Sequence, residues 1–243
     1  MSAFGDDHRP RSGYGHNAVA AALAAEILSG ARQPGSRMPS ADELFERFGV
    51  SRVVMREVAK TLTAKGMIVG KSRVGTVVLP PANWNWFDAD LLAWRVGIGL
   101  DEAFLRHLAQ MRHAVEPAAA ALAAAQHRSE HVSAMRRALH GMAQAGPDRR
   151  AFGEVDLDFH VAVALASGNP LFRSFASVIE TALRAFLAIT TPLDAAAMAV
   201  TVARHTLIAD AIERGDAPGA AAAMKVVIDE GLDRVMASPG KAR

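Results

Sequence analysis

Apolar residues recur at helical spacing along most of the chain. The first such pattern predicts a helix over about residues 17–29, which ends at Gly30. Its buried face is formed by four aliphatic residues: Val19, Leu23, Ile27 and Leu28.

Two further helices are predicted on either side of Gly49. Ser40 and Glu43 have the spacing of a capping box, and Leu44 and Phe48 begin the buried face of that helix. Ser51 caps the next helix, whose predicted buried face is Val54, Val58 and Leu62 and whose opposite face carries Arg52, Arg56 and Lys60. Two short helices separated by a glycine turn are typical of a helix-turn-helix.

The only pattern that favours strands follows this pair. Met67–Gly70 and Val74–Leu79 are short β-branched runs joined by Lys71, Ser72 and Arg73, which predicts a two-stranded hairpin with a basic tip. The segment thus predicts a winged helix-turn-helix.

The rest of the chain is predicted to be helical. Six patterns follow one another, at about 101–126, 129–144, 148–167, 170–190, 195–214 and 217–237. Apolar residues make up 51% of the chain and aromatic ones only 6%, and alanine runs such as 118–125 favour packed helices over sheets. The predicted organisation is a disordered lead over 1–13, a winged helix domain over 14–80, a linker over 81–100 and a helical domain over 101–238.

Charge divides the chain in the same way. Residues 1–80 hold 11 Lys and Arg against 7 Asp and Glu, whereas the remainder holds 16 against 18. Positive charge therefore concentrates where a polyanion would bind. The chain has no cysteine, which excludes disulfides, and we expect a soluble cytoplasmic protein without a membrane segment.

The basic stripe has two interpretations. It is either the solvated face of an ordinary helical hairpin or a DNA-binding surface, and its combination with a turn and a basic wing favours DNA. Arg52 and Arg56 are one turn apart near the start of the helix, where side chains can bond to guanine edges in the major groove. Lys60, Lys71 and Arg73 suit phosphate or minor-groove contacts.

The motifs P-S-x-x-E-L, F-G-V-S-R, M-R-E-V, L-x-x-x-G and G-T-x-V occur in order between Pro39 and Val78. This region resembles the winged helix-turn-helix of the GntR family of bacterial transcription regulators. The resemblance implies that Ser40, Ser51, Gly75 and Thr76 also contact DNA. Asp42 stands where many members carry an arginine that can contact DNA, so one such contact is expected to be absent.

The helical domain contains a candidate metal site. Asp156 and His160 are four residues apart on one predicted helix, and His205 on a later helix can supply a third ligand, with Thr201 one turn before it. A carboxylate with imidazoles suits Zn²⁺, Mn²⁺ or Ni²⁺, of which we favour Zn²⁺. By spacing alone, an Asp and a His four residues apart more often form a surface pair or a capped core histidine.

The pattern D-x-x-F-H-x₇-G-N-P, the later R-H-x-x-I-x-x-A-I-x-x-G-D and the earlier M-R-x-x-V-E-P resemble the ligand-binding domain of FadR-type GntR regulators. This resemblance implies metal binding by Asp156, His160 and His205, but a fourth histidine of the subgroup is replaced by Val227. It also implies that Arg112 binds an effector carboxylate together with Thr201, although an arginine there can equally cover helix surface.

These features predict a homodimeric repressor that binds double-stranded operator DNA and is released by a small carboxylate. The segment NWNWFDADLLAW resembles the linker of D-galactonate operon repressors of the same family, which favours a sugar-acid effector. One alternative is a metal-dependent hydrolase or lyase fused to a DNA-binding domain. Another is a structural nucleoid-type binder, which would show no effector response.

Overall fold

The computed structural model describes residues 15–146, 148–175, 180, 184 and 194–237. The chain divides into two compact units, one extending to Ile98 and the other beginning at Gly99. Described residues are mostly helical, and a two-stranded antiparallel sheet follows the N-terminal helices. The predicted fold class is confirmed. The predicted disordered lead lies outside the described residues.

Three helices open the N-terminal unit: α1 (His16–Leu28), α2 (Ala41–Phe48) and α3 (Arg52–Ala64). The predicted capping box is present, since Ser40 Oγ accepts from Glu43 N–H while Glu43 Oε2 accepts from Ser40 N–H at 2.7 Å. Gly49 ends α2 in the left-handed conformation, with φ of 64°, which permits the sharp turn into α3.

The core of this unit differs from the predicted pattern at one position of α3. Met55, Val58 and Leu62 are buried, whereas Val54 is only partly buried. The inward face of α3 is therefore rotated slightly from the predicted one. Val19, Leu23 and Ile27 of α1 join the same core, as predicted.

The predicted hairpin wing is present as β1 (Ile68–Lys71) and β2 (Gly75–Val78). The strands are antiparallel, with Ile68 opposite Val78 and Lys71 opposite Gly75. Arg73 has a φ of 60° at the tip, where the tight turn requires a left-handed residue. The basic tip is thus held by a short, regular hairpin.

Structure continues where a linker was predicted. Pro81–Asn83 form a short 3₁₀ helix and Ala89–Gly97 form α4, a helix that the sequence analysis missed. Both belong to the N-terminal unit. The buried Lys65, at the C-terminal end of α3, donates to Asp88 at 2.6 Å and to Asp90 at 2.8 Å, so α4 is tied to the end of α3.

The described part of the C-terminal unit contains five long helices: α5 (Glu102–Gln126), α6 (Ser129–Gln144), α7 (Arg149–Ala166), α8 (Ala195–Glu213) and α9 (Ala217–Met236). The predicted helix over 170–190 lies mostly outside the described residues, although 170–175 are helical. By length and composition α8 could cross a membrane. Three of its residues, Met198, Ile208 and Ile212, belong to the buried core of this unit.

Candidate DNA-binding surface and buried polar cluster

The outward face of α3 carries three of the predicted DNA-binding residues. Arg52, Arg56 and Lys60 are all exposed, and Arg52 has 81% of its side chain accessible. Lys60 Nζ bonds to Glu57 Oε1 at 2.8 Å on the same face. The exposed positive groups leave this side of α3 able to meet a polyanion.

Asp42 lies beside this face. Its Oδ1 is 3.8 Å from Arg52 Nη2, and both side chains are more than four-fifths exposed. At this exposure the pair contributes little to stability. The Arg52 guanidinium therefore lies near a carboxylate at the N-terminal end of α2.

A surface groove brings the wing next to the start of α2. It is lined by residues that include Ser40, Gly75 and Thr76, three predicted DNA-binding positions. Arg32 and Arg37 line the same groove and were missed by the sequence analysis. Arg37 also bridges to Val77 of β2, a pairing between distant residues that no local pattern reveals.

The two predicted serines act first as helix caps. Ser40 Oγ accepts from the N–H of Glu43 and Ser51 Oγ accepts from the N–H of Val54, each at 3.3 Å. Lys71 and Arg73 are exposed at the wing. The structure therefore gathers the predicted residues on α2, α3 and the wing of one unit.

The three predicted metal ligands meet inside the C-terminal unit. Asp156 and His160 project from α7 and His205 from α8, all three are buried, and their ligand atoms lie within 4.8 Å of one another. Phe159 packs edge-on against both imidazoles, with ring centroids 6.0 Å from His160 and 5.1 Å from His205. A polar cluster is thus enclosed in an otherwise apolar core.

His205 is oriented by its own helix. Its Nδ1 lies 2.8 Å from the carbonyl oxygen of Thr201, which can only accept, so this nitrogen carries a proton. The other ring nitrogen, Nε2, lies 2.8 Å from Asp156 Oδ1. Both atoms are buried, and neither makes a hydrogen bond among the described residues. Either a proton on Nε2 or a metal ion bound by both atoms satisfies this contact.

Glu116 is the residue of this cluster that the sequence analysis missed. It bonds to Arg112 through Oε1 and Nε at 2.6 Å, and its Oε2 lies 2.8 Å from His160 Nδ1. Arg112 is 1% exposed, and its Nη2 lies 3.1 Å from His160 Nε2. The four-residue spacing of Arg112 and Glu116 on α5 was the available sequence signal.

These contacts shift the ionisation of the cluster. Burial raises the pKa of Glu116, but Arg112 and His160 outweigh it and lower that pKa to about 2. Burial lowers the pKa of His160, and so does the Arg112 guanidinium. The Glu116 and Asp156 carboxylates outweigh both effects and raise that pKa to about 9. Burial also raises the pKa of Asp156, but the His205 and His160 rings hold it well below its usual range. Two buried carboxylates are therefore kept charged.

The donor set fits a divalent cation. A carboxylate and two imidazoles are ligands that Zn²⁺ accepts, and the unbonded Asp156 Oδ1 and His205 Nε2 are directed at each other. Val227 is a buried residue of α9 and offers no ligand atom. The residues present supply three candidate ligands, and Arg112 Nη2, 3.1 Å from His160 Nε2, competes with a cation for the lone pair of that nitrogen.

Arg234 adds a second cation near this cluster. Burial lowers the pKa of its guanidinium, whereas the Glu230 and Asp156 carboxylates oppose that change. Its Nε is buried and makes no hydrogen bond within the described part of the chain. The surroundings of Asp156 thus carry positive groups on both α5 and α9.

The N-terminal unit is a winged helix with an exposed basic face, and the C-terminal unit is helical with a buried polar cluster. This combination is typical of ligand-responsive DNA-binding regulators. Residues 16–78 match the gntR family of bacterial regulatory proteins, and residues 107–230 match the FCD domain. The chain belongs to the gntR family and carries an FCD domain. It is a DNA-binding transcription regulator, and the hydrolase or lyase alternative finds no support.

Two relatives from Escherichia coli match most of the chain. The transcriptional regulator YieP is 35% identical over 86% of this chain and 90% of its own length. The galactonate operon transcriptional repressor is 33% identical over 88% and 93%. The solved structure of Lar, described as controlling the Listeria monocytogenes agr system, covers 91% of this chain and 96% of its own, with a TM-score of 0.62 and 16% identity, and supports the fold alone.

Proposed function

We propose that this regulator is a homodimeric, cytoplasmic repressor of a catabolic operon, released from its operator by a small carboxylate such as a sugar acid. The observation that carries the proposal is the buried cluster of Arg112, Asp156, His160 and His205 inside the helical unit of a DNA-binding protein. Buried charged groups are costly, and this set suits a metal ion and an anion. The name of the galactonate operon repressor supports a sugar acid as the anion.

On the DNA side, α3 enters the major groove. Arg52 and Arg56 bond to guanine edges and specify sequence, whereas Lys60, Lys71 and Arg73 contact phosphates or the minor groove. Ser40, Ser51, Gly75 and Thr76 approach the DNA backbone from the ends of the helices and the wing. Two copies of the chain bind two half-sites of a near-palindromic operator.

On the effector side, Asp156, His160 and His205 would hold a divalent metal, of which Zn²⁺ fits the ligand set best. The metal would supply positive charge and free coordination positions for an effector carboxylate. Arg112, whose Nε and Nη2 bond to Glu116 in this structure, contributes positive charge for the same carboxylate. Thr201, whose hydroxyl donates to Ala197 O in this structure, is the second effector-binding residue. Arg234 adds attraction for an anion.

Release from DNA follows from differential binding. The effector must bind more tightly to the arrangement of helices that does not fit the operator, because a ligand that binds both equally shifts nothing. Operator binding and effector binding then oppose each other reciprocally.

A screen of sugar acids and other carboxylates by thermal shift, on the Zn²⁺-loaded full-length protein, tests this function. We expect at least one acid, with D-galactonate as the first probe, to raise the melting temperature and to release a selected operator duplex. Arg112→Lys keeps a positive charge beside Glu116 but loses the paired hydrogen bonds that orient the guanidinium, so it should weaken that response about tenfold or more.

Arg106→Lys, on the exposed surface of the same helix, serves as the matched control and should respond as the wild type does. Absence of stabilisation by every acid tested would contradict the proposed effector class. Stabilisation without operator release would contradict its regulatory role.

A further inference from the structure

Val53 stands out on the exposed face of α3. Val53 is 68% exposed, and it follows directly after Arg52 at the start of the helix. Met55, Val58 and Leu62 supply the buried face, so the fold does not use Val53 for packing. Single exposed aliphatic residues are common, and its position decides whether this one has a role.

Helical geometry places Val53 centrally on that face. Successive residues lie about 100° apart around the axis, so the exposed arc runs from Arg52 through Arg56 and Lys60 to Glu57. Val53 lies between Lys60 and Glu57 on this arc, and it is in the first turn of the helix. First-turn residues are those that reach base edges when such a helix enters the major groove.

The chemistry of Val53 limits what it can recognise there. An isopropyl group has no donor or acceptor, so it cannot bond to a phosphate or to the polar edge of a base. The one apolar group that the major groove presents is the C5-methyl of thymine. A branched aliphatic side chain flanked by charged neighbours gains from contact with that methyl group, which removes apolar surface of both from water.

We infer that Val53 specifies a thymine in each operator half-site by contact with its C5-methyl group, beside the bases that Arg52 and Arg56 recognise. The inference rests on the proposed reading of the operator by α3. It adds to that reading a position at which the protein distinguishes thymine from the three other bases without a hydrogen bond.

The test uses a duplex that purified full-length wild type selects from a random-sequence DNA pool. Each thymine of the protected region is replaced in turn by deoxyuridine, which lacks only the methyl group, and the dissociation constant is measured by fluorescence anisotropy. We expect one symmetry-related thymine position at which replacement weakens wild-type binding about fourfold per half-site, the scale of one methyl-sized group removed from water.

Val53→Ala should show a smaller deoxyuridine penalty than the wild type, because it lacks the two Cγ methyl groups that contact the thymine methyl. Val74→Ala, which alters an exposed valine of the wing, is the matched control and should keep the full deoxyuridine penalty. Thermal melting of both variants checks folding, which an exposed side chain should hardly affect.

Equal wild-type affinity for all deoxyuridine duplexes, or an undiminished penalty in Val53→Ala, would overturn the inference. A penalty that disappears in Val74→Ala as well would also overturn it. Failure of the underlying proposal looks different, because the wild type would then select no preferred sequence or Arg56→Ala would bind the selected duplex as tightly as the wild type.

Discussion

The two units place their functional residues in opposite environments. In the N-terminal unit the side chains proposed to bind DNA are exposed, as Arg52 and Val53 are. In the C-terminal unit Arg112, Asp156 and His205 are almost fully buried and lie close to one another or to Glu116. The candidate binding groups are solvated in the N-terminal unit and desolvated in the C-terminal unit.

This difference affects how each unit responds to substitution. A surface that meets a polyanion gains its free energy only on binding, so its residues can change with little effect on the fold. A buried cluster of charges is stable only when every member is compensated, so loss of one charge disturbs all the others. The N-terminal unit should therefore show local effects and the C-terminal unit collective ones.

Arg56→Ala should have the largest effect on the exposed side of this comparison. Removal of one bidentate pair of hydrogen bonds to guanine in each half-site costs about 2–6 kcal/mol in total, which weakens operator binding roughly thirtyfold or more. Titration of the selected operator and of a scrambled duplex at equal salt measures it. Lys60→Ala, one turn along the same face, should reduce binding to both duplexes alike. Equal losses of affinity on both duplexes for Arg56→Ala would contradict base recognition.

Glu116→Gln tests the collective behaviour of the buried side. The substitution is nearly isosteric, but it removes the charge that faces Arg112 and His160, so Zn²⁺ affinity should fall about 10–100-fold. Competition with a chelator of known affinity measures it. Glu102→Gln changes an exposed carboxylate of the same helix and should leave the affinity unaltered. An equal effect of the two substitutions would argue against a role of Glu116 in holding the cluster.

The same contrast explains what the sequence could predict. Helices α1 to α3 and the wing were predictable because local signals define them, such as the Ser40–Glu43 capping box and Gly49. The meeting of Asp156, His160 and His205 was also predicted, from spacing and family resemblance. The approach of Glu116 to His160 and that of Asp42 to Arg52 depend on how separate helices pack, which periodicity does not describe. Helix α4 was missed because the Pro and Asn residues before it resembled a linker.

Lys71→Ala should have the smallest effect. A lysine at the wing neutralises one phosphate in each half-site, so its removal weakens binding several-fold at low salt and about equally on every sequence. The slope of log affinity against log salt should become shallower by about 0.9 for each phosphate that is no longer neutralised. Operator titrations at four or more salt concentrations measure both quantities. An unchanged slope would remove Lys71 from the DNA-binding surface.

The central claim is that the exposed surface binds the operator and the buried cluster controls it. The most direct measurement is the operator affinity of His205→Gln, with no metabolite present, beside that of Arg56→Ala and the wild type. Thermal melting first confirms that each variant is folded. We predict that His205→Gln binds within about threefold of the wild type, while Arg56→Ala binds more weakly by roughly thirtyfold or more. A folded His205→Gln variant whose operator binding falls as severely as that of Arg56→Ala would contradict the account.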